Sequence, residues 1–147
     1  MPAKTLNAVR DIVDIGKAKL RPHDRYGDPI PGLSWLPLDF DDAEGRGLYL
    51  VRFEAGARSL PHEHVHGEAF IVLEGRLIDS DGRELKTGEF VRYEPGSRHF
   101  SIAPEGCLLA VHLRGPSRLL GRRKPAPKPK PARAKADAGR GARPASR

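Results

Sequence analysis

Turn signals divide residues 33–115 into short segments, and this regular division is the feature that most constrains the fold. Clusters containing Gly or Pro recur about every 8 to 12 residues, and the segments between them alternate apolar with other side chains. The chain has 16 Gly and 14 Pro among 147 residues, which favours a turn-rich β fold over a helical bundle. The pattern predicts about seven strands in an all-β sandwich or small antiparallel barrel.

The length suits one domain, which we place at residues 33–115. Residues 1–32 form an N-terminal extension, in which AVRDIVDIGKAK predicts a short amphipathic helix or an edge strand before an irregular Pro- and Gly-rich connection. No apolar stretch approaches the ~20 residues of a membrane span, and the N-terminus lacks the apolar segment of a signal peptide, so we expect a cytoplasmic protein. The single cysteine, Cys107, excludes an internal disulfide and zinc sites built from cysteine pairs.

The net charge of +7 comes from the C-terminal end of the chain. Residues 118–147 carry eleven Lys or Arg and one acid, whereas the other residues carry fifteen basic and eighteen acidic groups. Residues 116–147 are rich in Lys, Pro, Ala and Arg, which predicts a disordered basic tail. Such a tail either is only a solvated, solubilising segment or makes weak, non-specific contacts with nucleic acid.

A cluster of candidate metal ligands lies in the stretch GARSLPHEHVHGEAFIVLEG. Side chains alternate along a strand, so His62 and His64 face the same way, and a turn over residues 65–67 lets Glu68 point inward on the next strand. His99, in a second predicted hairpin, is a fourth candidate. Neutral imidazoles and a carboxylate suit one divalent transition metal ion per chain, with Zn, Fe, Mn and Ni all left open.

The spacing of these residues resembles the two sequence motifs of the cupin superfamily. The first motif is matched by Gly56, His62, His64, Glu68 and Gly75, and the second by Gly88, Gly96 and His99. Two positions depart from the pattern, because Pro95 lies one place later than usual and Ala103 stands where many cupins have Asn. Over about residues 33–114, the amino-acid sequence most resembles the ChrR-like cupin domains.

The resemblance implies a jelly-roll barrel (a double-stranded β-helix) of antiparallel strands, with a metal bound by His62, His64, Glu68 and His99. We expect Phe70 and Val72, on the same face of their strand as Glu68, to form a pocket wall. His66 is either a rim residue on the turn or a fifth ligand. His112 is either a cavity residue supporting the metal ligands or an ordinary surface or core histidine.

Two functions follow from the resemblance. The first is a metal-binding module that binds or senses a small molecule or an oxidant. The alternative is an Fe(II)-dependent dioxygenase acting on a diketone or hydroxyketone, although relatives that cleave diketones often use three histidines without the glutamate. The paired cysteines of the anti-sigma domain found in some ChrR-like proteins are missing here, so a stand-alone domain is expected. We also expect a homodimer, which would cover exposed strand edges.

Overall fold

The computed structural model describes residues 1–121, and their regular structure is almost entirely β-strand, as the turn spacing predicted. The elements, in chain order, are α1 (Leu6–Val9), β1 (Arg21–Pro22), β2 (Leu33–Asp41), β3 (Arg46–Phe53), β4 (Ala57–Arg58), β5 (His62–His64), β6 (Glu68–Asp79), β7 (Glu84–Lys86), β8 (Phe90–Tyr93), β9 (Ser97–His99), β10 (Ser101–Ala103), β11 (Cys107–Leu113) and β12 (Arg118–Leu119). Within these residues no helix has the length and apolarity needed to cross a membrane.

All strand pairs are antiparallel, and they form two sheets. The larger sheet has the order β1-β2-β3-β11-β6-β10-β4, with β7 and β8 also paired to β6. The smaller sheet has the order β12-β5-β9 and holds all three of the candidate histidine ligands. The predicted all-β antiparallel barrel is therefore confirmed, and the small sheet is the part that positions the site.

The core lies between the sheets and is built on the predicted alternation of β3. Tyr49, Val51 and Phe53 are 7%, 5% and 5% exposed. Val51 pairs with Leu109 on β11, and Leu109 pairs in turn with Val72 on β6, so one row of buried side chains crosses three strands. Burial of such aliphatic and aromatic side chains contributes roughly 1.5 to 3 kcal/mol each.

A β-bulge changes which side chains of β6 face the core. Along β11, Leu108 pairs with Glu74 but Leu109 pairs with Val72, which leaves Leu73 as an extra residue. An extra residue reverses the inward and outward alternation beyond it. Gly75 follows the bulge with φ +71°, and a Cβ there would collide with the backbone oxygen of Gly106. The bulge and its glycine therefore set the direction of every later side chain on β6.

The N-terminal extension differs from its prediction in two ways. The helix is only the four residues Leu6–Val9, and Ile12 and Val13, expected on its apolar side or on a strand, are exposed in no regular element. In contrast, residues 21–32 were expected to be an irregular connection, yet β1 pairs with β2, and His23 and Ile30 are only 5% and 7% exposed. Main-chain pairing and two buried side chains join this segment to the barrel.

The predicted tail also begins later than residue 116. Leu119 on β12 pairs with His62 on β5, and the backbone N–H of Leu120 donates to the carbonyl of Pro61 at 3.0 Å. Leu119 and Leu120 are partly buried, which gives these residues a reason to pack that the basic sequence after them lacks. The rest of the predicted tail, residues 122–147, lies outside the described residues.

An apolar row crosses the outer face of the larger sheet. Leu36, Leu50, Ala110, Ile71 and Phe90 are successive register partners on five strands. Ile71 and Phe90 at the end of the row are 44% and 64% exposed. Leu50 in the middle of the row is fully buried, so only the end with Ile71 and Phe90 offers an exposed apolar surface, of the kind typical of a protein contact.

Candidate metal centre

Three histidines come together on the small sheet. His62 and His64 lie on β5, and His62 faces His99 of β9 as its antiparallel register partner. One ligand nitrogen from each of the three rings lies within 4.8 Å of the other two. His64 is only 1% exposed, whereas His62 and His99 are partly exposed and line the same cavity. The structure therefore groups three of the four predicted ligands.

The rings of His62 and His99 both direct Nδ1 away from the cluster. Nδ1 of His62 lies 2.6 Å from the carbonyl oxygen of Leu60, and Nδ1 of His99 lies 3.0 Å from Oδ1 of Asp79. Both partners are acceptors, so each ring must carry its proton on Nδ1 to donate to them. Nε2 of each ring is then left with a free lone pair, which is the form that binds a metal.

The ring of His64 completes the group. Its Nδ1 lies 2.7 Å from Oε2 of Glu68, off the direction of a well-aligned hydrogen bond, and the negative carboxylate favours a proton rather than a lone pair on that nitrogen. Its Nε2 lies 2.9 Å from Nε2 of His99. With both Nδ1 atoms protonated, two lone pairs face each other at that distance, which is unfavourable unless a proton or a cation lies between them.

A metal ion fits this arrangement. Two nitrogens bound at about 2.1 Å and at a right angle to each other lie about 3.0 Å apart, close to the 2.9 Å between His64 and His99. Burial, the largest effect, lowers the pKa of His62 to about 4, with smaller contributions from the neighbouring histidines. His62 is therefore neutral near pH 7 and available as a ligand.

Glu68, the fourth predicted ligand, contacts His64 and is not one of the three grouped ligands. It begins β6, is 9% exposed, and lines the same cavity as His62 and His99. The turn expected after His64 does return the chain so that the Glu68 side chain points inward. In the structure its carboxylate serves as a partner of His64.

A carboxylate that the sequence analysis missed lies behind His99. Besides His99, Asp79 accepts hydrogen bonds from Oγ of Ser101 on Oδ1 and from the hydroxyl of Tyr93 on Oδ2, each at 2.5 Å. Burial raises the pKa of Asp79, but the three hydrogen bonds outweigh it and hold that pKa below its usual value. Burial and the Asp79 contact raise the pKa of Tyr93, which stays a neutral donor.

The bulge in β6 explains why Asp79 was missed. Counting by twos from Glu68 reaches Phe70 and Val72 but places Asp79 on the outer face. The extra residue at Leu73 reverses the alternation, so that Asp79 turns inward. The run EGRLID contains no signal for a bulge except its glycine.

A cavity of about 70 Å³ adjoins His62 and His99. The apolar part of its wall is formed mainly by inward side chains of β2, β3, β6 and β11. These include Leu33, Val51, Phe53, Phe70, Leu109 and Val111. The volume exceeds several-fold the minimum of about 10 to 15 Å³ that one water needs, so the cavity has room for water or a small ligand beside the histidines.

The remaining predicted residues occupy different places. Phe70 lines the cavity, whereas Val72 is fully buried in the core and does not line it. His66 is exposed on the turn between β5 and β6 and packs against Gly115. His112 is exposed on the outer face of β11, which agrees with the surface alternative and not with the cavity alternative; its neighbour Val111 points inward instead.

His23 is a cavity residue that the sequence did not identify. It is 5% exposed, lines the cavity with His62 and His99, and its Nδ1 has no hydrogen-bond partner. Burial and the charge of Arg25 lower its pKa to about 4. The segment around it is rich in Pro and Gly and has no periodicity, so no sequence pattern indicated that His23 faces inward.

An antiparallel barrel with clustered imidazoles beside an internal cavity defines a protein of the cupin class. The family model described as "ChrR Cupin-like domain" matches residues 13–117, which is more than half of the chain. The chain therefore belongs to the ChrR cupin-like family. No curated protein matches it.

Solved structures share this fold. An acetylacetone dioxygenase from Acinetobacter johnsonii superimposes with a TM-score of 0.65 at 14% identity, over 85% of this chain and 87% of that one. The polyketide cyclase RemF from Streptomyces resistomycificus gives 0.59 at 21% identity, over 79% and 89%. A cupin-like protein of unknown function from Ralstonia eutropha gives 0.55 at 20% identity, over 58% of this chain and only 57% of its own length. At these identities the likeness shows the fold alone.

Proposed function

We propose that this protein binds one divalent transition metal ion per chain through Nε2 of His62, His64 and His99, and that a small molecule binds next to the ion. The observation that carries the proposal is the convergence of three ligand nitrogens within 4.8 Å. The Nδ1 partners of the rings support it, because they leave the three Nε2 lone pairs facing one centre.

The chemistry of the donors restricts what the site can bind. Three neutral imidazoles are borderline ligands that suit Zn, Fe, Mn or Ni and leave coordination positions open. His62 and His99 face the apolar cavity, whereas His64 is covered. A ligand in the cavity would therefore present an oxygen or nitrogen to the ion held by His62 and His99, and its apolar part to Phe70 and Leu109. This is the basis for binding or sensing a small molecule or an oxidant.

The second candidate is an Fe(II)-dependent dioxygenase for a diketone or hydroxyketone. The grouping of three histidines without Glu68, together with the apolar cavity wall, favours it. When bound, Fe(II) would polarise a ketone oxygen and supply electrons to O2. The residues of the chain would seat the substrate, with Phe70 and Leu109 packing against its carbon skeleton and excluding water.

One experiment separates the two candidates. The full chain is purified, its metal is identified by elemental analysis, and oxygen consumption is followed with Fe(II) and a panel of diketones and hydroxyketones. One zinc per chain with no oxygen uptake supports the binding module, whereas iron with substrate-dependent uptake supports the enzyme. If the protein binds none of the four metals, both proposals are wrong. His64→Ala should lose the metal, and His66→Ala is the matched control because His66 is exposed on the turn.

We also propose that the protein is a homodimer in which Ile71 and Phe90, the exposed end of the outer apolar row, contact a second copy. Phe90, 64% exposed at the end of that row, is the side chain to change. Phe90→Asp should give a monomer by light scattering. Phe100→Asp should leave the dimer intact, because Phe100 lies between β9 and β10 and is not part of that row. A wild-type monomer at high concentration would contradict the proposal.

Weak nucleic-acid contact through the basic tail stays a prediction, since residues 122–147 lie outside the described part of the chain.

A further inference from the structure

Three side chains donate hydrogen bonds to the carboxylate of Asp79. Asp79 ends β6 and is held between His99 and Ser101 on one oxygen and Tyr93 on the other. Its side chain is 11% exposed, the same fraction as that of His99. Because this side chain is largely buried, the hydrogen-bond partners of its carboxylate are protein groups rather than bulk water. Its negative charge acts mainly on these three groups.

The three donors bind to specific oxygens of the Asp79 carboxylate. The hydroxyls of Ser101 and Tyr93 have only one proton each, and both give it to Asp79 at 2.5 Å. Ser101 also lies 3.4 Å from Nδ1 of His99, too far to compete with the carboxylate at 3.0 Å. Nδ1 of His99 therefore faces an oriented negative acceptor and must carry the ring proton.

Tyr93 links this network to a second ligand. Its ring stacks on that of His64 with centroids 5.1 Å apart and an angle of 12° between the planes, and its centroid is 4.4 Å from that of His99. The hydroxyl at the other end of the same ring is fixed on Asp79. One carboxylate thus holds the tautomer of His99 directly and, through Tyr93, the packing of His64.

We propose that Asp79 is the positioning residue of the metal centre: with Tyr93 and Ser101 it holds His99 in the tautomer whose Nε2 lone pair points to the ion. The inference rests on the proposed metal binding by the three histidines. A carboxylate behind a ligand histidine also makes the imidazole a stronger electron donor, and loss of such partners commonly costs 10- to 100-fold in metal affinity. Asp79 touches neither the ion nor the ligand.

The test uses the full chain with histidine nitrogens labelled with 15N. In metal-free wild-type protein the spectrum should show His99 with a proton on Nδ1. Asp79→Asn should shift the population towards the Nε2–H tautomer and weaken Zn²⁺ or Co²⁺ binding by about 10- to 100-fold. Tyr93→Phe keeps the ring but removes one hydrogen-bond donor to Asp79. It should shift the His99 tautomer and weaken metal binding in the same direction, but by a smaller amount.

Asp81→Asn is the matched control, because Asp81 is an exposed acid two residues away that accepts a hydrogen bond from the backbone N–H of Arg83 and makes none to His99, Ser101 or Tyr93. It should change neither tautomer nor affinity. If Asp79→Asn lowers thermal stability but leaves the His99 tautomer and the metal affinity unchanged, Asp79 is only structural and the inference is wrong. Should that variant not fold, an unchanged His99 spectrum and affinity in Tyr93→Phe would overturn it.

The two proposals fail separately. A wild-type protein that binds no metal refutes the proposed function, yet its 15N spectrum still shows whether Asp79 fixes the tautomer of His99. A wild-type protein that binds metal equally well after Asp79→Asn refutes the positioning role and leaves the metal site intact.

Discussion

Glu63 accepts a hydrogen bond on Oε2 from Nη2 of Arg118 at 2.8 Å, and this pair fastens the C-terminal strand to the strand that carries the metal ligands. Oε1 of the same carboxylate accepts from Nε of Arg98 at 2.8 Å on the other side. The hydrogen bonds from Arg98 and then Arg118 lower the pKa of Glu63. Glu63 therefore joins all three strands of the small sheet from the side opposite the histidines.

Glu63→Gln should loosen β12 first, because a neutral amide cannot hold two guanidinium groups. We expect the backbone N–H of Leu120, bonded to the carbonyl of Pro61, to exchange with deuterium several-fold faster, while amides of β11 keep their rates. Glu94→Gln is the matched control, since Glu94 is 80% exposed and pairs only with Arg92 at 3.7 Å. Unchanged exchange at Leu120 in Glu63→Gln would show that main-chain pairing alone holds the strand.

Metal addition should stabilise the wild-type protein against heat, because only the folded chain brings the three imidazoles together. At a metal concentration 100 times Kd the gain is about 2.7 kcal/mol, and removal by a chelator should reverse it. His99→Ala should abolish the gain, whereas His112→Ala, on the outer face, should keep it. Thermal melts with and without Zn²⁺ measure both. Equal shifts in the two variants would refute the placement of His99 at the site.

Glu68→Gln tests whether the carboxylate is a metal ligand or the partner of His64. The 2.7 Å contact with Nδ1 of His64 predicts the second role, so the variant should still bind one metal ion per chain. Its affinity should fall about tenfold, because the amide orients the ring without the charge. Titration with a metal indicator gives both numbers. Loss of binding as complete as in His64→Ala would instead make Glu68 the fourth ligand.

The sequence predicted the strands and the pair His62 and His64 because both follow from local rules, whereas the ligand role of His99 came from the resemblance to the second cupin motif. Alternation placed Tyr49, Val51 and Phe53 on one face of their strand, which the structure buries, and the H-x-H spacing placed His62 and His64 on one face. These inferences need only a regular strand. They remain valid wherever the period of two is unbroken.

The other site residues could not be predicted, because their positions depend on features that the alternation of side chains does not reveal. The bulge at Leu73 turned Asp79 inward, and a segment without periodicity placed His23 in the core. His112 was uncertain because an alternation pattern gives two faces but does not say which one is inside. Contacts between distant residues, such as Asp79 with Tyr93, decide these cases, and no local pattern reports them.

Gly75→Ala should destabilise the fold strongly. The residue has φ +71°, and its new Cβ would collide with the backbone oxygen of Gly106, which cannot move aside as a side chain can. Together these effects should cost about 2 to 4 kcal/mol in the free energy of unfolding. Gly82→Ala is the control: φ is +87° with nothing within 4 Å, so only the backbone cost of about 1 kcal/mol applies. Denaturant unfolding compares the two, and equal losses would contradict the role of the Gly106 contact.

The stability of the metal-free protein should fall on acidification, in part because of His23. Burial lowers its pKa from 6.5 to about 4, so between these values the unfolded chain binds a proton that the folded chain does not. The free energy of unfolding is therefore unaffected by His23 above about pH 6.5 and decreases towards pH 4, by up to about 3 kcal/mol. His23→Leu should make the decrease between pH 6.5 and 4 shallower by that amount in urea unfolding with chelator present. An NMR titration of folded wild-type protein should give a midpoint for His23 near 4, and a midpoint near 6.5 with parallel unfolding curves would contradict the prediction.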